Sequence, residues 1–256
     1  ACYAGYAACA GVLFVARPDL PLGQASLVAL VVLGGMQPLL RRVNRRIGAR
    51  AFRRLGALMT TQRYDDAHAH LADLRRVYAG SKAALELLRL HEGTVLLSEG
   101  RNADAVRLLE SIDRGRLQKS ALPWLLNNLA WALARTGEGG RAVVTARESI
   151  EASAVAGDRA TSSLDLRACQ LGTLGAALVV ASKPDEAIEP LEQALARGGT
   201  AAHQARRAFY LGEAFDALGR VDEARTAWKR AAEAAPDDEL GAAAREKLDH
   251  AAPPYR

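Results

Sequence analysis

The hydrophobic pattern changes character once along the chain, near residue 41. Before that point stand two stretches without a single charge. Residues 1–16 read ACYAGYAACAGVLFVA, and beyond Arg17-Pro18-Asp19 residues 20–40 read LPLGQASLVALVVLGGMQPLL. As a helix the second run is about 30 Å long, enough to cross a hydrocarbon core, whereas the first reaches only about 24 Å. Pro21 sits where a helix can begin and Pro38 near where it would leave the bilayer. Gly34-Gly35 would be poor in a soluble helix but lets membrane helices approach closely. The pattern predicts one or two transmembrane helices within residues 1–40. The same two runs also fit core helices of a soluble domain.

From Ala51 onward good helix formers dominate and no stretch alternates apolar with polar, so the body is predicted to be all-α. It also repeats itself. Five segments align on a turn followed by a fixed alanine: QRYDDA (62–67), GRNADA (100–105), GEGGRA (137–142), SKPDEA (182–187) and GRVDEA (219–224). The alanines at 67, 105, 142, 187 and 224 are separated by 38, 37, 45 and 37 residues. Seven positions before four of the turns stands a small residue: Gly93, Ala130, Gly175 and Gly212. Gly56 lies one place off that register in the first repeat. Four positions after each fixed alanine come Leu71, Leu109, Ala146, Leu191 and Trp228, and three further on Leu74, Ile112, Ser149, Ala194 and Ala231. Small residues at facing positions let paired helices cross closely, and the larger ones fill the groove toward the next pair.

This arrangement resembles the tetratricopeptide repeat (TPR) family. The last unit carries the resemblance furthest, with Leu211-Gly212, Phe215, Gly219, Ala224, Trp228, Ala231 and Pro236 on the family's spacing. The resemblance implies a right-handed solenoid of about five helix-turn-helix repeats over residues 48–236, at about 48–78, 86–114, 123–152, 168–198 and 205–236. Residues 237–250 read as a polar capping helix that closes the stack and 251–256 as a frayed tail. Glu92 departs from the family, which prefers Leu there. The 45-residue step adds length around 152–166, predicted as extended helices with a mobile turn at Gly157-Asp158. That lengthening, together with Asn127-Asn128-Leu129-Ala130, resembles the long-helix repeats of kinesin light chains.

Charge refines the division. The chain carries 34 Lys+Arg against 29 Asp+Glu, net +5, and its pI near 9.3 first suggests nucleic acid. Residues 1–54, however, hold eight Arg and one Asp, net +7, and the other 202 residues are net −2. Seven of those arginines crowd into RRVNRRIGARAFRR, residues 41–54. No aromatic–basic interleaving accompanies them, so no nucleic acid partner is predicted. Arginines directly after an apolar run obey the positive-inside rule and meet the anionic inner leaflet. They place the body on the cytoplasmic side of a membrane, and the Arg- and Ala-rich composition suits a bacterial inner membrane.

Nothing in the sequence supports catalysis, a metal or a cofactor. Three scattered cysteines, Cys2, Cys9 and Cys169, make neither a disulfide framework nor a zinc site. His68 and His70 are two apart and point away from each other on a helix. His91-Glu92 starts like a zinc-protease motif, but position 95 is Val. Gly172-Thr173-Leu174-Gly175 falls mid-helix as packing residues. Asp65-Asp66, Asp104, Asp185-Glu186 and Asp222-Glu223 open second helices, where they favour the dipole.

A surface remains. The resemblance places Trp124, Asn127, Asn128, Trp131 and Arg135 of the third repeat on the concave wall. From the fifth it adds Arg206, Tyr210, Glu213 and Asp216, and from the second His91 and Thr94. Such a groove receives extended peptides or helices: Asn grips backbone, and Trp anchors interfaces. Trp124 and Trp131, seven apart on one face, also fit inter-repeat core. The Lys and Asn set with which chaperone-binding repeats hold a C-terminal carboxylate is not matched, since Leu90 and Cys169 stand where Lys is needed. The sequence thus predicts a membrane-anchored interaction scaffold with a protein or peptide partner. The alternative is a homo-oligomeric assembly through the solenoid or through Tyr3, Gly5, Tyr6 and Gly34-Gly35.

Overall fold

A computed structural model of the chain describes residues 50–156 and 166–250. The transmembrane prediction for 1–40, most of the basic stretch, the turn at Gly157-Asp158 and the tail 251–256 lie outside the described residues. Among the described residues every regular element is helical, and no helix is long and apolar enough to cross a membrane.

The chain divides into two compact units, Ala1–Thr61 and Gln62–Arg256. In the first, α1 covers residues 50–60. Its last turn is closed by the hydroxyls of Thr60 and Thr61, which donate to the carbonyls of Gly56 and Ala57 at 2.9 and 3.0 Å.

The second unit begins with α2 (Tyr64–Val77). Four pairs follow: α3 (Lys82–Ser98) with α4 (Asn102–Glu110), α5 (Leu122–Arg135) with α6 (Gly139–Ala156), α7 (Leu166–Val180) with α8 (Pro184–Ala196), and α9 (Ala201–Ala217) with α10 (Val221–Ala234). A last helix, α11 (Glu239–His250), packs on α9 and α10. Each second helix also packs on the first helix of the next pair, and successive first helices adjoin one another from α3 through α11.

Local chemistry explains where the chain reverses. The first residue of each aligned turn has a left-handed backbone: Gln62, Gly100, Gly137, Ser182 and Gly219, with φ between 56° and 83°. In the last four, the amide one residue on reaches back to a carbonyl of the preceding helix. Arg101, Glu138, Lys183 and Arg220 donate to Leu96, Leu133, Leu178 and Phe215, each at 2.9 Å. This is the Schellman stop, which satisfies carbonyls that a helix end would otherwise orphan. Immediately afterwards a cation pairs with an acid three residues on: Arg63–Asp66, Arg101–Asp104 and Lys183–Glu186 at 2.7 Å, and Arg220–Glu223. The third turn runs the same pair in reverse, Glu138–Arg141. The acids at these helix starts therefore serve both the dipole and an ion pair. The hydrogen bond from Arg101 holds the Asp104 carboxyl below its ordinary range, and Arg220 does the same to Glu223.

Packing within pairs follows the small and large positions. All five fixed alanines are fully buried. A methyl group on Gly93 would stand 2.5 Å from Leu109 Cδ2, one on Gly175 2.3 Å from Leu191 Cγ, and one on Gly212 2.4 Å from Trp228 Cδ1. These helices cross at a distance that only glycine permits. In the third pair the match is Ala130 with Ala146, both buried, so the volume is shared differently.

Candidate functional site: the wall of first helices

The first helices α3, α5, α7 and α9 form one continuous wall, and its polar and aromatic side chains cluster on α5 and α9. Trp131 of α5 meets Tyr210 of α9 edge to face, with ring centroids 5.9 Å apart. Phe209 also meets the Tyr210 ring edge to face, with centroids 5.5 Å apart. The Arg206 guanidinium lies over the Trp131 face, 5.3 Å from its centroid, close enough for a cation–π attraction. Arg135 lies close enough to Tyr210 to act on its hydroxyl and pairs with Glu239 of α11. Burial pushes the Tyr210 phenol above its ordinary pKa, with Arg135 pulling the other way. Tyr210 thus stays neutral, a phenolic oxygen held by a permanent cation.

Why α5 and α9 meet at all is written in α7. Level with the aromatic positions this helix carries Cys169, Gly172, Thr173 and Ala176, none of them large. Gly172 is pressed further: a methyl group there would stand 3.1 Å from the Arg207 side chain. Arg207 is buried, and its guanidinium donates to the carbonyls of Ala194, at 2.8 Å, and Gly198. It ties the end of α8 to α9.

The other predicted residues divide. Asn128 donates to Thr94 Oγ at 2.9 Å, joining α5 to α3, and Thr94 in turn donates to the Leu90 carbonyl. Glu213 pairs with Lys247 of α11 at 2.9 Å. Trp124 is half-buried against the core, Asp216 is exposed, and His91 is half-buried. Burial lowers the His91 pKa to about 4, which keeps the ring neutral. Asn127 turns inward: it is only 7% exposed, and its Oδ1 is buried without a hydrogen bond. The structure therefore gathers Trp131, Arg135, Arg206 and Tyr210 into one cluster, joins Asn128 to Thr94, and takes Asn127 out of the solvent-facing wall.

Three residues around these contacts escape the sequence pattern. Phe209 sits beside a position the repeat assigns to the wall. Glu239 and Lys247 belong to a capping helix that pattern reading treats as solvated exterior. The usable signal is the inward-facing register of α11, where Leu240 and Ala244 are buried. Among the described residues no group of three His, Cys, Asp or Glu side chains is placed to hold a metal ion.

Solved structures with this arrangement exist. A putative kinesin light chain from Podosopora anserina, described as having nearly identical TPR-like repeats, matches 73% of this chain and 93% of its own at 18% identity, with a TM-score of 0.52. The fold is TPR-like. BtubC (BKLC) from P. vanneervenii shares it over 99% of this chain and 93% of its own, at 15% identity and a TM-score of 0.51. No protein-family model and no curated protein matches the sequence. At such identities the TPR-like likeness is one of architecture, so the aromatic cluster must be read from this chain's own residues.

Proposed function

We propose that this chain is a protein-interaction scaffold whose wall of first helices receives an extended peptide or a helix from a partner protein, centred on Trp131. The carrying observation is the Trp131–Tyr210 pair with Arg206 stacked on it and Arg135 beside it. Aromatic and arginine side chains held in a half-buried cluster are what protein interfaces use as anchors. Asn128 and Thr94 add donors and acceptors that suit a peptide backbone.

The reading includes an anchor. Two uncharged runs followed by seven arginines in residues 41–54 would hold the scaffold on the cytoplasmic face of a membrane, a bacterial inner membrane by composition. Removing residues 1–40 is then expected to move the protein from the membrane fraction to solution with its helical content kept. An aggregated or unfolded product counts against that division.

The test of the groove is crosslinking and capture from membranes with the wild type and Trp131→Ala side by side. The variant is expected to lose capture while melting within a few degrees of wild type. Undiminished capture with a large drop in melting temperature would make Trp131 a core residue instead.

A further inference from the structure

Helix α1 carries a face that the rest of the chain leaves without counter-charge. Arg50, Arg53, Arg54 and Ala57 stand at i, i+3, i+4 and i+7, hence on one side of the helix, and all four are exposed. The apolar side is already taken: Leu55 and Leu58 are buried, and Phe52 and Met59 are half-buried. Arginines at the repeat turns find an acid three places on, as Arg63 does in Asp66 and Arg101 in Asp104. Those of α1 cannot, because no Asp or Glu occurs between residues 20 and 64. Among the described residues no carboxylate pairs with Arg50, Arg53 or Arg54. A guanidinium keeps its charge at every physiological pH, so the counter-ion of this face comes from outside the chain.

We propose that the face formed by Arg50, Arg53 and Arg54 binds anionic phospholipid headgroups, on which α1 lies by charge rather than by inserting an apolar side. A phosphodiester headgroup suits it, since one planar guanidinium takes two phosphate oxygens at once. The surroundings of the face favour lipid over nucleic acid. The uncharged runs 1–16 and 20–40 stand upstream of it. Phe52, the one aromatic side chain of α1, is half-buried rather than offered for stacking on bases. With Leu55 and Leu58 buried, no broad apolar side is free to enter the acyl region, so the contact is electrostatic and weakens with salt. This site rests on the anchor reading above and adds a demand that apolar runs alone do not make: the membrane surface must be acidic.

The experiment uses the full chain with the photoreactive residue p-benzoylphenylalanine in place of Ala57, the exposed position on the arginine face. The protein is reconstituted into vesicles of equal parts phosphatidylcholine and phosphatidylglycerol, irradiated, and its lipid adducts are counted by mass spectrometry. At about 0.05 M salt, phosphatidylglycerol adducts are expected to outnumber phosphatidylcholine adducts roughly fivefold, the preference that a single arginine confers at an acidic surface. Arg50→Gln, Arg53→Gln and Arg54→Gln combined should bring the ratio close to parity, whereas Lys at all three positions should keep most of the preference. Salt at about 0.5 M should bring the wild type to parity as well, an arm that stands even where the Gln variant misfolds. Parity in the wild type at low salt, a preference that survives the Gln variant, or adducts to protein instead of lipid overturns the site. Transfer of the adducts to poly-uridylate when that RNA is added overturns it too, in favour of nucleic acid. Failure of the anchor shows separately: wild type that floats with the mixed vesicles but not with phosphatidylcholine alone keeps this site and removes the apolar span.

Discussion

Trp131 and Tyr210 meet edge to face at 5.9 Å although three helices, α6, α7 and α8, separate α5 from α9 in the chain. Repeat register alone would set Trp131 level with Glu213, each one place after its small residue. The actual partner lies three positions earlier, nearly one helical turn. Between them in the order of first helices, α7 carries the small residues Gly172, Thr173 and Ala176 at the matching repeat positions.

The tightest relationship within a pair gives the first prediction. Leu191 fills the space beside Gly175, so Gly175→Ala must force Leu191 or its helix aside. Overpacking of this kind costs about 1–3 kcal/mol, against about 1 kcal/mol gained in helix propensity. A net loss of up to about 2 kcal/mol is expected. Leu191→Ala alone opens a cavity and should cost about 2–5 kcal/mol. The double variant recreates the natural Ala130–Ala146 arrangement of the third pair and should be more stable than the sum of the two singles by about 1 kcal/mol or more. Chemical denaturation of all four proteins measures the coupling, and strict additivity would refute the shared-volume account.

That pairing was legible in the sequence because it is local. Each fixed alanine, each small position and each turn start lies within one repeat, and the 37- to 45-residue spacing displays them five times over. What crosses repeats was not legible. The pattern carries no twist angle, so it could place Trp131 and Tyr210 on the same wall without bringing them together. It also could not foresee Asn127 turning inward or Glu239 reaching Arg135. Buried polar links such as Gln170 to Ser149 lack periodicity altogether.

The turn starts supply a second prediction. Ser182 and Gly137 occupy equivalent positions, and both have left-handed backbones, with φ of 58° and 83°. A side chain there costs on the order of 1 kcal/mol, which glycine avoids. Ser182→Gly is therefore expected to stabilise by about 0.5 kcal/mol, since glycine also loosens the unfolded chain. Gly137→Ala should destabilise by about 1 kcal/mol. Thermal melts of both check the signs, and a destabilising Ser182→Gly would show that its hydroxyl matters more than its backbone.

A third prediction concerns the buried polar link between α6 and α7. The Gln170 amide nitrogen lies 2.8 Å from both the carbonyl and the hydroxyl of Ser149 and 2.7 Å from Ser153 Oγ, while Ser149 donates to the Pro123 carbonyl at 2.7 Å. Gln170→Leu keeps the bulk but removes the donor, leaving buried acceptors unpaired at a cost of about 1–3 kcal/mol. In a Ser149→Ala background one of those acceptors is already gone, so the same substitution should cost less. Equal costs in the two backgrounds, measured by urea denaturation, would show that Gln170 packs without bonding.

Acidification gives the last prediction. Burial lowers the pKa of both His91 and His203 to about 4, with Arg206 and Arg207 adding to the effect at His203. The ordinary value, which the unfolded chain shows, is 6.5. Above pH 6.5 both rings are neutral whether the chain is folded or not, and they contribute no pH dependence. As pH falls from 6.5 toward 4 the unfolded chain takes up protons that the folded chain refuses, so folding stability falls with pH across that window. Each histidine should cost on the order of 1–3 kcal/mol by the bottom of it. Urea denaturation between pH 7 and pH 4 is expected to show the loss, and His91→Gln combined with His203→Gln should flatten it. An equally steep decline in the double variant would show that the two histidines are not its source; Asp104 and Glu223, whose carboxyls are held below their ordinary range, add their own loss mainly below about pH 4.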